Sequence, residues 1–191
     1  LGPLAINNIL VTNHLFQYSS VESGFRKTFA FEPGVMAETG LETSDLLKNI
    51  VNGIKPDFII VVDALASGSI DRLNKTIQIT DTGINPGSGV GNNRKEISKE
   101  TLDIPVISIG VPTVVESAVL VNHCLNLLIE KLQNEAKSND YLNELKEKDN
   151  YEEIKEALIP NDYNMIVTPK EIDELIENMK DVVARGINYA M

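Results

Sequence analysis

The chain predicts an α/β fold: a doubly wound, mostly parallel sheet with helices on both faces. Three observations predict it. Phe58 to Val62 is an unbroken apolar run rich in β-branched residues, followed at once by Asp63 and small residues. Ile104–Gly110 is a second run of the same kind. Both have the pattern of strands buried on two faces. Around them stand segments with helical spacing, and strands alternating with helices build a parallel sheet. At 191 residues the chain is long enough for one full-size domain with its own core. With no Trp and 5% aromatics, that core must be mainly Ile, Val and Leu.

From the start of the chain, Leu4 to Leu15 has a loosely helical apolar pattern. Thr28–Phe31 reads as a short strand stopped by Glu32-Pro33-Gly34. Val35–Leu41 reads as a loop, after which Thr43 or Ser44 caps a helix through Ile50 that Asn52-Gly53 closes. Strand, helix and then the Phe58 strand imply a parallel pair joined by a right-handed crossover. Ser69–Asn74 forms a short helix or turn, and Thr76–Thr80 alternates polar and apolar as a second β-run. Arg94–Glu100 is a charged surface segment. In the Ile104–Gly110 strand, Pro105 suits the first position, where a missing donor is cheapest.

Pro112–Glu116 begins a helix with a Thr113/Glu116 capping box, and Val114–Leu128 is apolar nearly all round, as in a buried or subunit-interface helix. Cys124 within it is expected to be a small core residue. From about residue 133 to 164 the composition shifts to Glu, Lys, Asn and Asp. That reads as a solvated helix pair or a disordered insertion in a single domain spanning 1–191. Thr168-Pro169-Lys170-Glu171 is a second capping box. It opens a last helix with Ile172, Leu175, Ile176, Met179, Val182 and Val183 as its apolar stripe.

Charge narrows the partners. A net charge of −11 gives no basic face to displace counterions from a phosphate backbone, so no nucleic acid is expected. No apolar run approaches the ~20 residues that span a bilayer, so no membrane partner is expected. A single cysteine cannot form an internal disulfide, which fits a reducing, cytoplasmic compartment.

Chemistry concentrates between Asp57 and Asn93. Asp63 follows the Phe58–Val62 run and is expected at the carboxyl end of that strand, where open α/β sheets bind ligands. Its bland alternative is an acid capping the next turn. Beyond Asp81 lies Gly83-Ile84-Asn85-Pro86-Gly87-Ser88-Gly89-Val90-Gly91, with four glycines in nine residues. Such a backbone can approach a ligand closely. It lacks the Gly-Lys-Ser/Thr of a nucleotide loop and any dinucleotide fingerprint. A structural or substrate-lining role is the expectation, with Asp81, Gly87, Ser88 and Gly89 as the substrate-binding candidates. Asp81 alternatively starts the loop through an Asx-turn. No His-x-x-His or Cys-x-x-Cys spacing is present, so neither metal nor cofactor is expected.

The strings Asp63-Ala64-Leu65-Ala66 and Asp81 through Asn92 resemble the signature of the spore germination protease family. The likeness continues through Arg94–Thr101, Ile109–Val115 and Met165–Ile172, and spans most of the chain. The resemblance implies an aspartic-type endopeptidase with a hydrogenase-maturation-peptidase-like fold. It would be made as a zymogen, assemble as a homotetramer in the spore core, and cut small acid-soluble spore proteins during germination. It implies that Asp63 is one of two catalytic acids. It also implies that the other acid precedes Leu1-Gly2-Pro3, so that the given chain, read as truncated, would be inactive. Two carboxyl groups within hydrogen-bond distance share one proton near neutral pH. The ionised one can then take a proton from water while the other polarises the scissile carbonyl. Two other readings stand beside it. Asp63-Ala64-Leu65 weakly resembles the acid motif of nickel-hydrogenase maturation peptidases, which bind metal there. A non-catalytic scaffold built on the Val114–Leu128 helix is the third.

Overall fold

The computed structural model describes residues 1–18, 24–88, 94–135, 145, 150–161, 163 and 165–191. They form two compact units. The first holds Leu1–Ala64, Ile77–Val111 and Glu171–Met191, and the second holds Leu65–Thr76 and Pro112–Lys170.

The first unit is built on the leading parts of two long strands, β1 (Ile59–Ser67) and β3 (Val106–Glu116), with β2 (Gln78–Thr80) on the other side of β3. Ile59 N–H donates to the Pro105 carbonyl at 3.0 Å, just before β3 begins, so β1 and β3 start at the same end and run parallel. β2 pairs antiparallel to β3 with Ile79 opposite Ile109. The expected α/β class with an open sheet is therefore present. Its parallel character resides in the long β1–β3 pair, whereas the short flanking strand is antiparallel. The strand with neighbours on both sides is β3, not the Phe58–Val62 run. Burial agrees: most of β3 is fully buried and most of β1 only partly so.

Alternation along the strands divides the apolar side chains between two faces. On one face Ile60 and Val62 of β1 and Ile109 and Val111 of β3 pack with Ala5 of α1 (Gly2–Ile6) and with Val183 and Ile187 of α8 (Ile172–Ala190). On the other, Ile59, Val61 and Val106 pack with Leu47 of α4 (Thr43–Ile54), Leu102 of α5 (Lys99–Leu102), Ile84 and Ile97. Helices thus cover both faces of this unit's sheet.

Several local expectations give way to longer-range bonds. The Leu4–Leu15 helix is only the single turn of α1, followed by a separate turn at α2 (Leu15–Tyr18). Thr28–Phe31 forms no strand; Thr28 is instead tied to Thr12, whose hydroxyl accepts from Thr28 N–H at 2.9 Å. Without that strand the expected first crossover does not exist. The Val35–Leu41 loop contains α3 (Met36–Thr39). Helix α4 begins with Glu42 as its N-cap and no side-chain cap, and it passes Asn52-Gly53 to end at Lys55 with φ 53°.

In the second unit β3 continues to Glu116, so the Thr113/Glu116 capping box is not made. Val111, Val114 and Val115 favour the extended chain, and other elements use the polar groups. The Thr113 carbonyl accepts from Thr168 Oγ1 at 2.9 Å, and Glu116 accepts from Tyr151 Oη at 2.8 Å. The last helix, α8, starts only at Ile172 with Glu171 as its N-cap, so the box from Thr168 to Glu171 is not made either. β4 (Ile166–Val167) pairs antiparallel to the end of β3.

Helix α6 (Ser117–Glu135) follows β3 directly. It buries Ala118 and Ile129 but exposes Val121, Leu127, Leu128, Leu132 and also Cys124, which is not a core residue. Part of the charged 133–164 stretch is helix α7 (Tyr151–Leu158). Residues 136–144 and 146–149 of that expected insertion lie outside the described residues. No helix among the described residues is long and apolar enough to cross a membrane.

Candidate active site

Asp63 is the fifth of the nine residues of β1 and lies within the strand, not beyond its end. The strand runs on because Ala64, Leu65 and Ala66 permit extended backbone as far as Ser67. Within the first unit, however, β1 contributes only up to Ala64, so Asp63 stands at the end of that unit's share of the strand.

Period-two alternation puts Asp63 on the face of Ile59 and Val61. That face is covered by Leu47 of α4 and by Ile84 and Ile97. Its carboxylate oxygen Oδ1 accepts from the N–H of the next residue, Ala64, at 2.8 Å. Burial raises the Asp63 pKa above the ordinary aspartate value. The Ala64 N–H, the Leu1 amino group and the Arg94 guanidinium pull against that rise without cancelling it. The first residues of the chain also lie against β1 here. A side chain on Gly2 of α1 would come 3.0 Å from the Val62 carbonyl oxygen. Among the described residues no basic side chain forms an ion pair with Asp63.

The glycine-rich segment begins at a tightly closed root. Ile84 and Ile97 form an isolated antiparallel bridge, with N–H to carbonyl bonds of 2.9 and 2.8 Å in the two directions. Gly83 precedes it with φ 93°, and a Cβ there would lie 2.6 Å from both the Ile97 carbonyl oxygen and Ser98 Cβ. This position requires glycine. The turn before it is made by Thr80, whose hydroxyl accepts from Thr82 N–H at 3.1 Å and pairs with the Thr82 hydroxyl at 2.8 Å. Asp81 is therefore not the residue that starts the loop through its side chain. It is exposed, as is Ser88; Gly87 has φ 74°, and Ser88 N–H closes a turn on the Asn85 carbonyl. Gly89 lies outside the described residues. No hydrogen bond or ion pair among the described residues joins Asp63 to Asp81, Gly87 or Ser88.

Sequence reasoning passed over the residues after the loop. Arg94, Lys95 and Glu96 were expected to be plain surface, but each is tied to the first turn of α4. Arg94 Nε stands 3.8 Å from Glu42 Oε1, and both side chains are largely buried. Lys95 Nζ reaches both carboxylate oxygens of Asp45 at 2.8 Å, and Ser44 Oγ donates to the Glu96 carbonyl at 3.2 Å. The missed signal was the charge pairing of Glu42 and Asp45 with Arg94 and Lys95, which are far apart in the chain. Among the described residues, no three His, Cys, Asp or Glu side chains converge where they could hold a metal ion.

Comparison with known proteins agrees with the resemblance carried by these segments. The sequence profile of a family described as "Germination protease" matches residues 1–145 and 140–191. Curated proteins named "Germination protease" from Bacillus mycoides (strain KBAB4), Bacillus cereus (strain AH187) and Bacillus thuringiensis subsp. konkukian (strain 97-27) are each 44% identical over 228 aligned residues. The alignments cover 100% of this chain and 62% of each of these relatives. The chain thus spans less than two thirds of their length. By the profile match along both segments, the chain belongs to the germination protease family.

Proposed function

We propose that this chain is the core of an aspartic-type endopeptidase that starts the degradation of small acid-soluble spore proteins during germination, with Asp63 as one of its two catalytic acids. The observation that carries the proposal is the state of Asp63: a partly buried carboxyl, without an ion pair among the described residues, whose charged form burial disfavours. A carboxyl of that kind keeps its proton to higher pH than an ordinary aspartate, which suits the protonated member of an acid pair. In this reading a second carboxyl stands beside Asp63 and shares one proton with it.

In this reading water attacks the carbonyl carbon and loses a proton to the ionised carboxylate. The neutral carboxylic acid gives its proton toward the carbonyl oxygen. Breakdown of the tetrahedral adduct then returns a proton to the leaving nitrogen, and no covalent intermediate forms. Asp81, Gly87, Ser88 and Gly89 line the substrate. The two units work as one peptidase domain of the doubly wound, hydrogenase-maturation-peptidase-like kind. The protein is made as a zymogen, acts in the cytoplasm of the spore core and assembles as a homotetramer, for which the exposed apolar residues of α6 offer a face.

The test is cleavage of a small acid-soluble spore protein by the full-length protease and by the 191-residue chain, each with and without chelator. Cleavage by the full-length protein, unaffected by chelator, is expected. Loss of that activity on chelation would move the metal-dependent reading ahead.

A further inference from the structure

Arg94 is buried in a way that the two-acid scheme does not use. Its Nε and Nη2 atoms are buried and have no hydrogen-bond partner, and neither has the facing Glu42 Oε1. At 3.8 Å the pair is close enough to attract but too long for a hydrogen bond. Buried guanidinium donors are costly to leave unsatisfied, and an orphaned group of this kind in a folded protein calls for an acceptor supplied from elsewhere.

The chain that follows Arg94 is also firmly placed. Three residues further on, Ile97 is locked into its bridge with Ile84, and Lys95 and Glu96 are bound to α4. These are the elements that cover the Asp63 face of β1. Arg94 is close enough to that site for its charge to act on Asp63.

We propose that Arg94 donates hydrogen bonds to the carbonyl oxygen of the substrate's scissile peptide, with Glu42 holding the guanidinium in place. The charge balance selects a carbonyl over an acidic side chain. Glu42 already balances the guanidinium and Asp63 is the neutral acid of the pair, so an incoming carboxylate would meet no net positive charge. A neutral carbonyl needs none. As water adds to the carbon and the oxygen gains charge, the fixed donors bind it more strongly than they bind the ground state. Arginine gives no proton in this step, because it stays charged throughout. The proton comes from the carboxylic acid.

This inference rests on the proposed peptidase reading, and the experiment separates the two. In the full-length protease, Arg94→Ala should lower kcat about 10²–10³-fold with little change in KM. Added guanidinium should restore part of the lost rate. Arg94→Lys keeps the charge but not the planar fork, and should remain well below wild type with normal melting. Asp63→Asn should be slowed about 10²–10⁴-fold and should not respond to guanidinium. An Arg94→Ala enzyme with wild-type kcat beside an Asp63→Asn enzyme slowed to that extent would overturn the role of Arg94 and leave the peptidase reading standing. Full activity in Asp63→Asn would remove the peptidase reading itself. Should Arg94→Ala fail to fold, a wild-type kcat in Arg94→Lys would overturn the inference equally.

Discussion

At Asp63, desolvation outweighs three influences that favour the charge, and its sign fixes a pH dependence. The folded state holds this proton more tightly than the unfolded state does. Stability therefore falls as pH rises from the unfolded carboxyl pKa of about 3.9 through the higher folded value, and the penalty is complete above that value. Asp63→Asn in the 191-residue chain should melt above the parent at neutral pH, and the gap should close as pH drops toward the unfolded value. A parent that melts above the variant at pH 7 would mean that burial does not dominate. Asp63 was legible as a candidate because a charge interrupting an apolar β-run has few structural uses. Arg94 was not, since its meaning depends on Glu42, more than fifty positions earlier in the chain.

The elements show the same division between local and distant causes. The last helix was legible from its period, and Met179 and Val183 do face the core. Yet Val182 is exposed while Ala184 and Ile187, beyond the expected stripe, are buried. Ile187→Ala should cost about 2–5 kcal/mol, whereas Val182→Ala should stay within about 0.5 kcal/mol of the parent, by denaturant unfolding. Capping boxes were misread because β3 runs on through Thr113 to Glu116 and the last helix begins only at Ile172, while Glu116 and Thr168 make their bonds to other segments. The glycine loop was legible as irregular backbone, and its root at Gly83 explains one of its glycines. Gly83→Ala should destabilise by about 1–3 kcal/mol, lowering the melting temperature by several degrees. Gly53→Ala near the end of α4, where an added Cβ meets nothing within 4 Å, should leave it unchanged or raised. Equal effects at the two positions would contradict the crowding at the root.

For the molecule as a whole, composition foretold an aliphatic core, and both clusters of the first unit are built from Ile, Val, Leu and Ala with Met at the margin. The α/β class followed from two apolar β-runs. Which of them would be flanked on both sides could not follow, because pairing order is set by contacts that neither run encodes by itself. The length of β3 was hidden by Pro112, which reads as a helix start but sits in the strand with its carbonyl accepting from Asn74 N–H at 2.7 Å. The central claim is that Asp63 performs chemistry, and the most direct measurement is the single-turnover rate at which the full-length protease cleaves a small acid-soluble spore protein. Asp63→Asn should slow that step about 10²–10⁴-fold, while Asp81→Asn should weaken substrate binding and leave the step nearly intact. An Asp63→Asn enzyme that cuts at the wild-type rate would contradict the claim.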